Sequence, residues 1–185
     1  MTEEPSRSAT LRAVEYAKRR DKLISFDPNL REPLWASLEM ARTVISEGLR
    51  FADVLKVSEE ELFFLTGSDD LEEGCRMLVD RYRIPILFVT LGSKGCYYRV
   101  YEHSGTVPGF PADAVDTTGA GDAFLGAMLY QLSESPDRFA QLTDSEIRKR
   151  VQFANAAGAL ATLRKGAIPS LPRLEDVENL LKQPQ

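Results

Sequence analysis

The sequence predicts an α/β domain built on a mainly parallel sheet, and three observations carry the prediction. Apolar runs at residues 22–27, 52–57 and 86–91 alternate with amphipathic stretches of helical period. After Gly92-Ser-Lys-Gly95 the pattern shortens to a hairpin. Long helical stretches then close the chain.

The first cycle runs from a helix over 6–19, with Leu11, Val14 and Ala17 at helical spacing behind Pro5, into the apolar run at 22–27. The second joins a helix over 36–49, marked by Leu38, Ala41, Ile45 and Leu49, to a strand at 52–57. The third has two helical pieces, 58–66 and 70–82, ahead of a strand at 86–91. Cys96-Tyr-Tyr-Arg-Val100 and a return strand at 104–108 read as an antiparallel hairpin at the sheet edge. Helices over 119–133, 144–163 and 173–183 follow, with Pro169 and Pro172 marking the break before the last. The chain opens on a crossover-type helix with no strand ahead of it, and that helix needs a sheet face for Leu11 and Val14. We therefore expect one domain over 1–185 that is the C-terminal part of a longer protein.

Length and composition limit the function. The 185 residues, 43% hydrophobic and 28% charged, suffice for one globular core. A net charge of −5 with no basic face excludes nucleic acid as a partner and leaves room for a small anion. No apolar stretch approaches the ~20 residues of a membrane span, and the first residues lack an apolar signal core. The expectation is a cytoplasmic protein with no membrane partner. Cys75 and Cys96 lack paired spacing and read as reduced thiols. His103 is the single histidine, which argues against zinc-hydrolase and serine-triad chemistry.

The densest motif is Asp116-Thr-Thr-Gly-Ala-Gly-Asp-Ala-Phe124. Gly119 and Gly121 remove Cβ atoms where a ligand would approach the main chain, and an apolar run from Ala123 opens a helix. The N–H groups at that helix start would face an anion. Asp122 reads as a buried carboxylate, and one placed in an anion site suggests work on a proton. An ordinary helix start, with Asp122 as a first-turn acid, accounts for the same residues.

A Walker A loop is absent, and Phe124 stands where a dinucleotide fingerprint needs its third glycine. Other strand ends also carry polar groups. Thr90-Leu-Gly-Ser-Lys-Gly95 ends a strand with a glycine turn, and a plain hairpin turn explains it too. Asp27-Pro-Asn-Leu-Arg31 puts a carboxylate, an amide and a guanidinium on one loop, although Asx-Pro turns are common. Ser58-Glu-Glu-Glu61 is equally a capping box. Three strands delivering polar residues to one sheet edge is a stronger signal than any of the motifs alone.

These strings, with Arg164-Lys-Gly-Ala-Ile-Pro-Ser170 and the extended Asp27-Pro-Asn-Leu-Arg-Glu-Pro-Leu-Trp35, resemble the ribokinase-like sugar kinases, with the latter string most similar to fructokinases. The resemblance covers essentially the whole chain. It implies a three-layer α/β/α fold without the N-terminal strands, the glycine-pair sugar motif and the β-sheet lid. It also implies ATP-dependent phosphorylation of a sugar hydroxyl, fructose to fructose 6-phosphate. Two alternatives stay open: a non-catalytic nucleotide-binding piece, or a relative acting on 2-keto-3-deoxygluconate, ribose or a nucleoside.

By that resemblance Asp122 is the base, and the N–H groups of Gly119, Ala120, Gly121 and Asp122 form an anion hole. Thr90, Gly92, Ser93 and Gly95 border the nucleotide, Asn155 lies near adenine, and Lys56 is a cation near the phosphates. Asp27, Asn29 and Arg31 serve substrate or phosphate, and Glu61 helps hold Mg2+ through water. Ser58 departs from the family's Asn at that motif, which leaves the capping box as a rival reading. Asp116, Thr118, Ala161, Arg164, Gly166 and Ser170 match a monovalent-cation site suited to K+. The implied partners are ATP, a small sugar and, for the intact protein, a second copy in a homodimer.

Overall fold

The computed structural model describes residues 1–134 and 136–183. It is a mixed α/β structure with five strands and seven α-helices among the described residues. The chain divides into two compact units, residues 1–89 and 90–185.

The first unit holds α1 (Ser6–Lys18), β1 (Ser25–Phe26), α2 (Leu38–Leu49), β2 (Val54–Ser58), α3 (Glu59–Thr66), α4 (Leu71–Tyr82) and most of β3 (Ile86–Thr90). β1 pairs in parallel with β2, Ser25 opposite Val54 and Phe26 opposite Leu55. Val54, Leu55 and Val57 of β2 and Ile86 to Val89 of β3 are buried, as expected of strands covered on both faces. Short polar signals set the helix ends. Ser37 caps α2 through the Met40 N–H, Asp70 caps α4 through Glu73, and Gly67 ends α3 at φ 74°.

One expectation fails here. The strand foreseen over 22–27 shrinks to two residues because its front is consumed by a turn. Asp21 sits at φ 52°, the Lys22 N–H returns to Ala17, and Asp53 accepts the Ile24 N–H at 2.8 Å. Beyond Asp27, Pro28 has no N–H for a ladder. Helix α1 buries no residue, so Leu11 and Val14 are only half covered. Ion pairs near its two ends tether it instead, Arg7 to Glu47 at 2.7 Å and Lys18 to Asp53 at 2.6 Å.

The second unit holds the hairpin β4 (Cys96–Val100) and β5 (His103–Val107), then α5 (Ala120–Ser133), α6 (Asp144–Ala161) and α7 (Leu174–Leu181). β4 and β5 run antiparallel, Cys96 opposite Val107 and Val100 opposite His103. Short 3-10 turns at Gly92–Lys94, Pro136–Gln141 and Ile168–Ser170 were not legible as elements. α5 packs along α6. A run of small residues permits close approach, since a Cβ on Gly158 of α6 would stand 3.3 Å from the Ala120 carbonyl at the start of α5. Phe110, Ala156, Ala157 and Val177 form a core cluster between α6 and α7. Cys75 and Cys96 are buried free thiols. Among the described residues no helix is long and apolar enough to cross a membrane.

Candidate functional site

In the first unit, the end of β1 and the start of α3 are laced together. Lys56 points inward from β2, only 7% exposed, and its Nζ reaches both Asp27 oxygens at 3.1 and 3.3 Å. A buried ammonium needs such a partner. The capping box of α3 is fully formed. Glu61 accepts the Ser58 N–H at 2.9 Å, and the Ser58 hydroxyl accepts the Glu61 N–H at 3.1 Å. The second Glu61 oxygen accepts the Leu30 N–H at 2.6 Å. Each carboxylate oxygen thus has one backbone donor and retains further acceptor capacity.

Those bonds hold the loop at 27–31, where Asn29 stands exposed at φ 46°. Arg31 is exposed and makes no ion pair among the described residues. Lys56 is therefore committed to Asp27, a contact the sequence reading did not foresee.

In the second unit, the turn after β3 is closed by backbone bonds. The Leu91 N–H donates to the Gly95 carbonyl at 2.8 Å and the Gly95 N–H to Gly92 at 3.1 Å. Gly92 lies at φ 59° and Gly95 at φ 105°, where a Cβ would meet the Val107 carbonyl oxygen at 2.1 Å. Ser93 is exposed on this turn and Thr90 half-buried beside it. Asn155 is 7% exposed, and its Nδ2 donates to the carbonyls of Val107 and Pro108 at 3.1 and 3.0 Å. The amide group expected near adenine thus clamps the exit of β5.

The motif at 116–124 starts α5. Gly119 is its N-cap at φ 85°, and a Cβ there would lie 3.2 Å from the Ala167 Cα. The Ala120 N–H already donates to the Thr117 carbonyl at 3.2 Å. The N–H groups of Gly119, Gly121 and Asp122 have no partner among the described residues. Three of the four expected donors are therefore left without a partner among the described residues at this helix start.

Asp122 is exposed, which corrects its reading as a buried carboxylate. The buried face of α5 is Ala123, Phe124, Met128 and Leu132, while Asp122, Gly126 and Tyr130 form an exposed row at four-residue spacing.

Asp116 is held by two backbone donors. One oxygen accepts the Thr118 N–H at 2.9 Å and the other the Gly166 N–H at 3.0 Å. These bonds, first that from Gly166, hold its carboxyl down to about 2, with Lys165 adding to the effect. The Thr162 carbonyl accepts the N–H groups of Val115 and Asp116 at 2.8 and 3.1 Å. This draws the loop at 164–170 against the start of α5. Gly166 sits in it at φ 95°, Ser170 is buried with its hydroxyl donating to Ala167, and Ala161 is buried at the end of α6. Arg164 is exposed.

Asp116 stays ionised and keeps acceptor capacity, and the neighbouring donors are oxygens, a set that suits a weakly hydrated monovalent cation. Among the described residues no group of three or more His, Cys, Asp or Glu side chains forms a metal cluster. The Leu30 amide and the Thr162 and Ala167 backbones escaped sequence reading, since main-chain groups leave no signature in side-chain identity.

Residues 2–174 match the pfkB family carbohydrate kinase model. The chain is 47% identical over 180 residues to Fructokinase-1 of Zea mays, an alignment covering 97% of this chain and 55% of that protein. Fructokinase from Vibrio cholerae O395 superposes with TM-score 0.89 in a fructose, ADP and calcium ion bound form at 40% identity, covering 98% of this chain and 57% of that one. A double-mutant form of that enzyme, with fructose, ADP and potassium ion bound, gives TM-score 0.89 at 39% identity with the same coverage. Aminoimidazole riboside kinase from Salmonella enterica, complexed with aminoimidazole riboside and an ATP analog, gives TM-score 0.85 at 30% identity over 98% of this chain and 60% of that one. The chain belongs to the pfkB family of carbohydrate kinases and has the ribokinase-like fold. It spans about half the length of the curated relatives it matches.

Proposed function

We propose that this chain supplies the ATP site, anion hole and catalytic base of an ATP-dependent sugar kinase whose acceptor is fructose. The observation that carries the proposal is the start of α5, where three N–H groups without partners and an exposed carboxylate share four consecutive residues, 119–122. Such a site suits phosphoryl transfer, in which positioning and charge stabilisation dominate.

In this reading Asp122 orients the sugar hydroxyl and takes its proton late, as the hydroxyl oxygen bonds to the γ-phosphorus and the bond to the ADP oxygen breaks. The N–H groups of Gly119, Gly121 and Asp122 hold the oxygens on which charge accumulates. Ala120 contributes less, because its N–H is shared with Thr117. The turn bearing Gly92, Ser93 and Gly95, with Thr90, borders the nucleotide. Asn155 shapes that border by fixing Val107 and Pro108. In the first unit, Asn29 and Arg31 contact sugar or phosphate, and the Lys56–Asp27 pair and Glu61 hold their loop. The remaining acceptor capacity of Glu61 would hold a water of Mg2+, which when bound neutralises the phosphates. Asp116, Thr118 and Ser170, with backbone oxygens at Ala161, Arg164 and Gly166, would hold K+. The potassium form of the Vibrio cholerae fructokinase supports that assignment. The identity to named fructokinases supports fructose as acceptor.

A nucleoside acceptor is the second reading, favoured by the likeness to the Salmonella riboside kinase. Measuring ADP release with fructose, ribose, 2-keto-3-deoxygluconate and aminoimidazole riboside separates the two. Fructose should give the highest kcat/KM. A higher value with a riboside would overturn the fructose assignment, and ATP binding without ADP release on any acceptor would support a non-catalytic nucleotide-binding role.

A further inference from the structure

Three arginines of the first unit line adjoining hollows and belong to no ion pair among the described residues. Arg42, Ser46 and Arg50 stand four residues apart along α2, forming one stripe of that helix. Arg81, in the last turn of α4, joins them. One hollow of about 320 Å³ is lined by Ser46, Arg50, Arg81 and Tyr82; its neighbour, about 360 Å³, shares Ser46, Arg50 and Arg81 and adds Arg42 and Glu47. Glu47 is the one acid among the described lining residues, and Arg7 donates to both its oxygens at 2.9 and 2.7 Å. Three guanidinium groups therefore share a cleft with no carboxylate left to neutralise them, on a chain of net charge −5.

Two of the three are oriented in advance. Arg42 lies over the Phe64 ring at 5.0 Å and Arg81 over the Tyr82 ring at 5.3 Å. Stacked guanidinium groups have less rotamer freedom to lose when an anion binds. Complementing helix carboxyl ends explains Arg50, at the end of α2, and Arg81, at the end of α4. It does not explain Arg42, two turns earlier in α2 and lining the same cleft. Mutual repulsion of three unpaired cations is relieved by an anion with several charges, and the planar fork matches phosphate oxygens in pairs. Three charges are too few to track a nucleic-acid backbone.

We propose that this cleft, lined by α2 and α4, binds a small ligand carrying two or more phosphoryl groups, either inorganic pyrophosphate or an organic bisphosphate. It uses none of the residues assigned above to ATP or sugar. The test follows the arginine Nε–H signals by NMR as the chain is titrated with sodium pyrophosphate or a sugar bisphosphate, against sodium chloride at matched ionic strength. The Nε–H signals of Arg42, Arg50 and Arg81 should shift to saturation, and the tighter-binding arm identifies the source of the phosphoryl groups. In the Arg50→Gln/Arg81→Gln variant, affinity read at Arg42 should fall by about tenfold or more, the worth of one charge-assisted contact. Arg50→Lys/Arg81→Lys, which keeps charge and fold but removes the fork, should also weaken binding. Shifts no larger than those with sodium chloride, or saturation at Arg42 unchanged in both variants, overturn the proposal.

Discussion

One oxygen of Glu61 accepts the Leu30 N–H at 2.6 Å while the other accepts the Ser58 N–H at 2.9 Å. A single carboxylate thus joins the start of α3 to the loop that carries Asn29 and Arg31. Glu61→Gln keeps one acceptor and loses the charge, so it should destabilise the chain by about 1–3 kcal/mol, the cost of weakening hydrogen bonds to a buried charged group. Urea unfolding measures the loss, and faster hydrogen exchange at the Leu30 amide shows that it is local. Unchanged exchange at Leu30 would contradict the bridging role.

Lys56 and Asp27 form a pair whose side chains are 9% and 12% exposed. Lys56→Ala removes the ammonium facing the mostly buried Asp27 carboxylate, so it should destabilise the chain in urea unfolding, by up to about 3–5 kcal/mol. Replacing both, as in Asp27→Leu/Lys56→Met, should restore part of that loss. If the single variant costs less than the double, the pair is not what anchors β1 to β2.

Asp116 titrates far below the ordinary carboxylate value of 3.8, down to about 2, because Gly166 and Thr118 donate to its ionised form. A lowered folded-state pKa means that the stabilisation is complete above the unfolded value and is lost as pH falls from about 4 towards 2. Thermal unfolding between pH 5 and 2 should show a decline that Asp116→Asn reduces. An identical pH profile in the variant would contradict the assignment.

Gly95 occupies φ 105° with the Val107 oxygen where a side chain would begin. Gly95→Ala should destabilise by more than about 1 kcal/mol, since both the backbone conformation and the contact are incompatible with a Cβ. Gly126 has open space around it, and Gly126→Ala in mid-helix should be neutral or stabilising in the same assay.

The helices with clear caps and apolar faces were legible to within one or two residues. α2, α3 and α4 each begin after a polar cap visible in the string Ser37, Ser58 or Asp70. β1 was overread because the apolar residues Leu23 and Ile24 mask a turn set by tertiary bonds, Asp53 to Ile24 above all. At the candidate site, the glycines of the α5 start and the Asp116 loop were visible as residue types. Whether each side chain meets a ligand or another part of the chain was not. Lys56 meets Asp27, Asn155 meets the Val107 and Pro108 carbonyls, and Asp122 faces outward, outcomes that depend on which face of a strand or helix packs.

The most direct test concerns Asp122. Phosphate transfer from ATP to fructose should be compared between the natural sequence and Asp122→Asn, with ATP affinity followed by calorimetry on the same samples. A positioned base contributes about 10²–10⁴-fold, so turnover should fall by that order while ATP affinity is retained. Turnover equal to that of the natural sequence would contradict the assignment of Asp122 as the base.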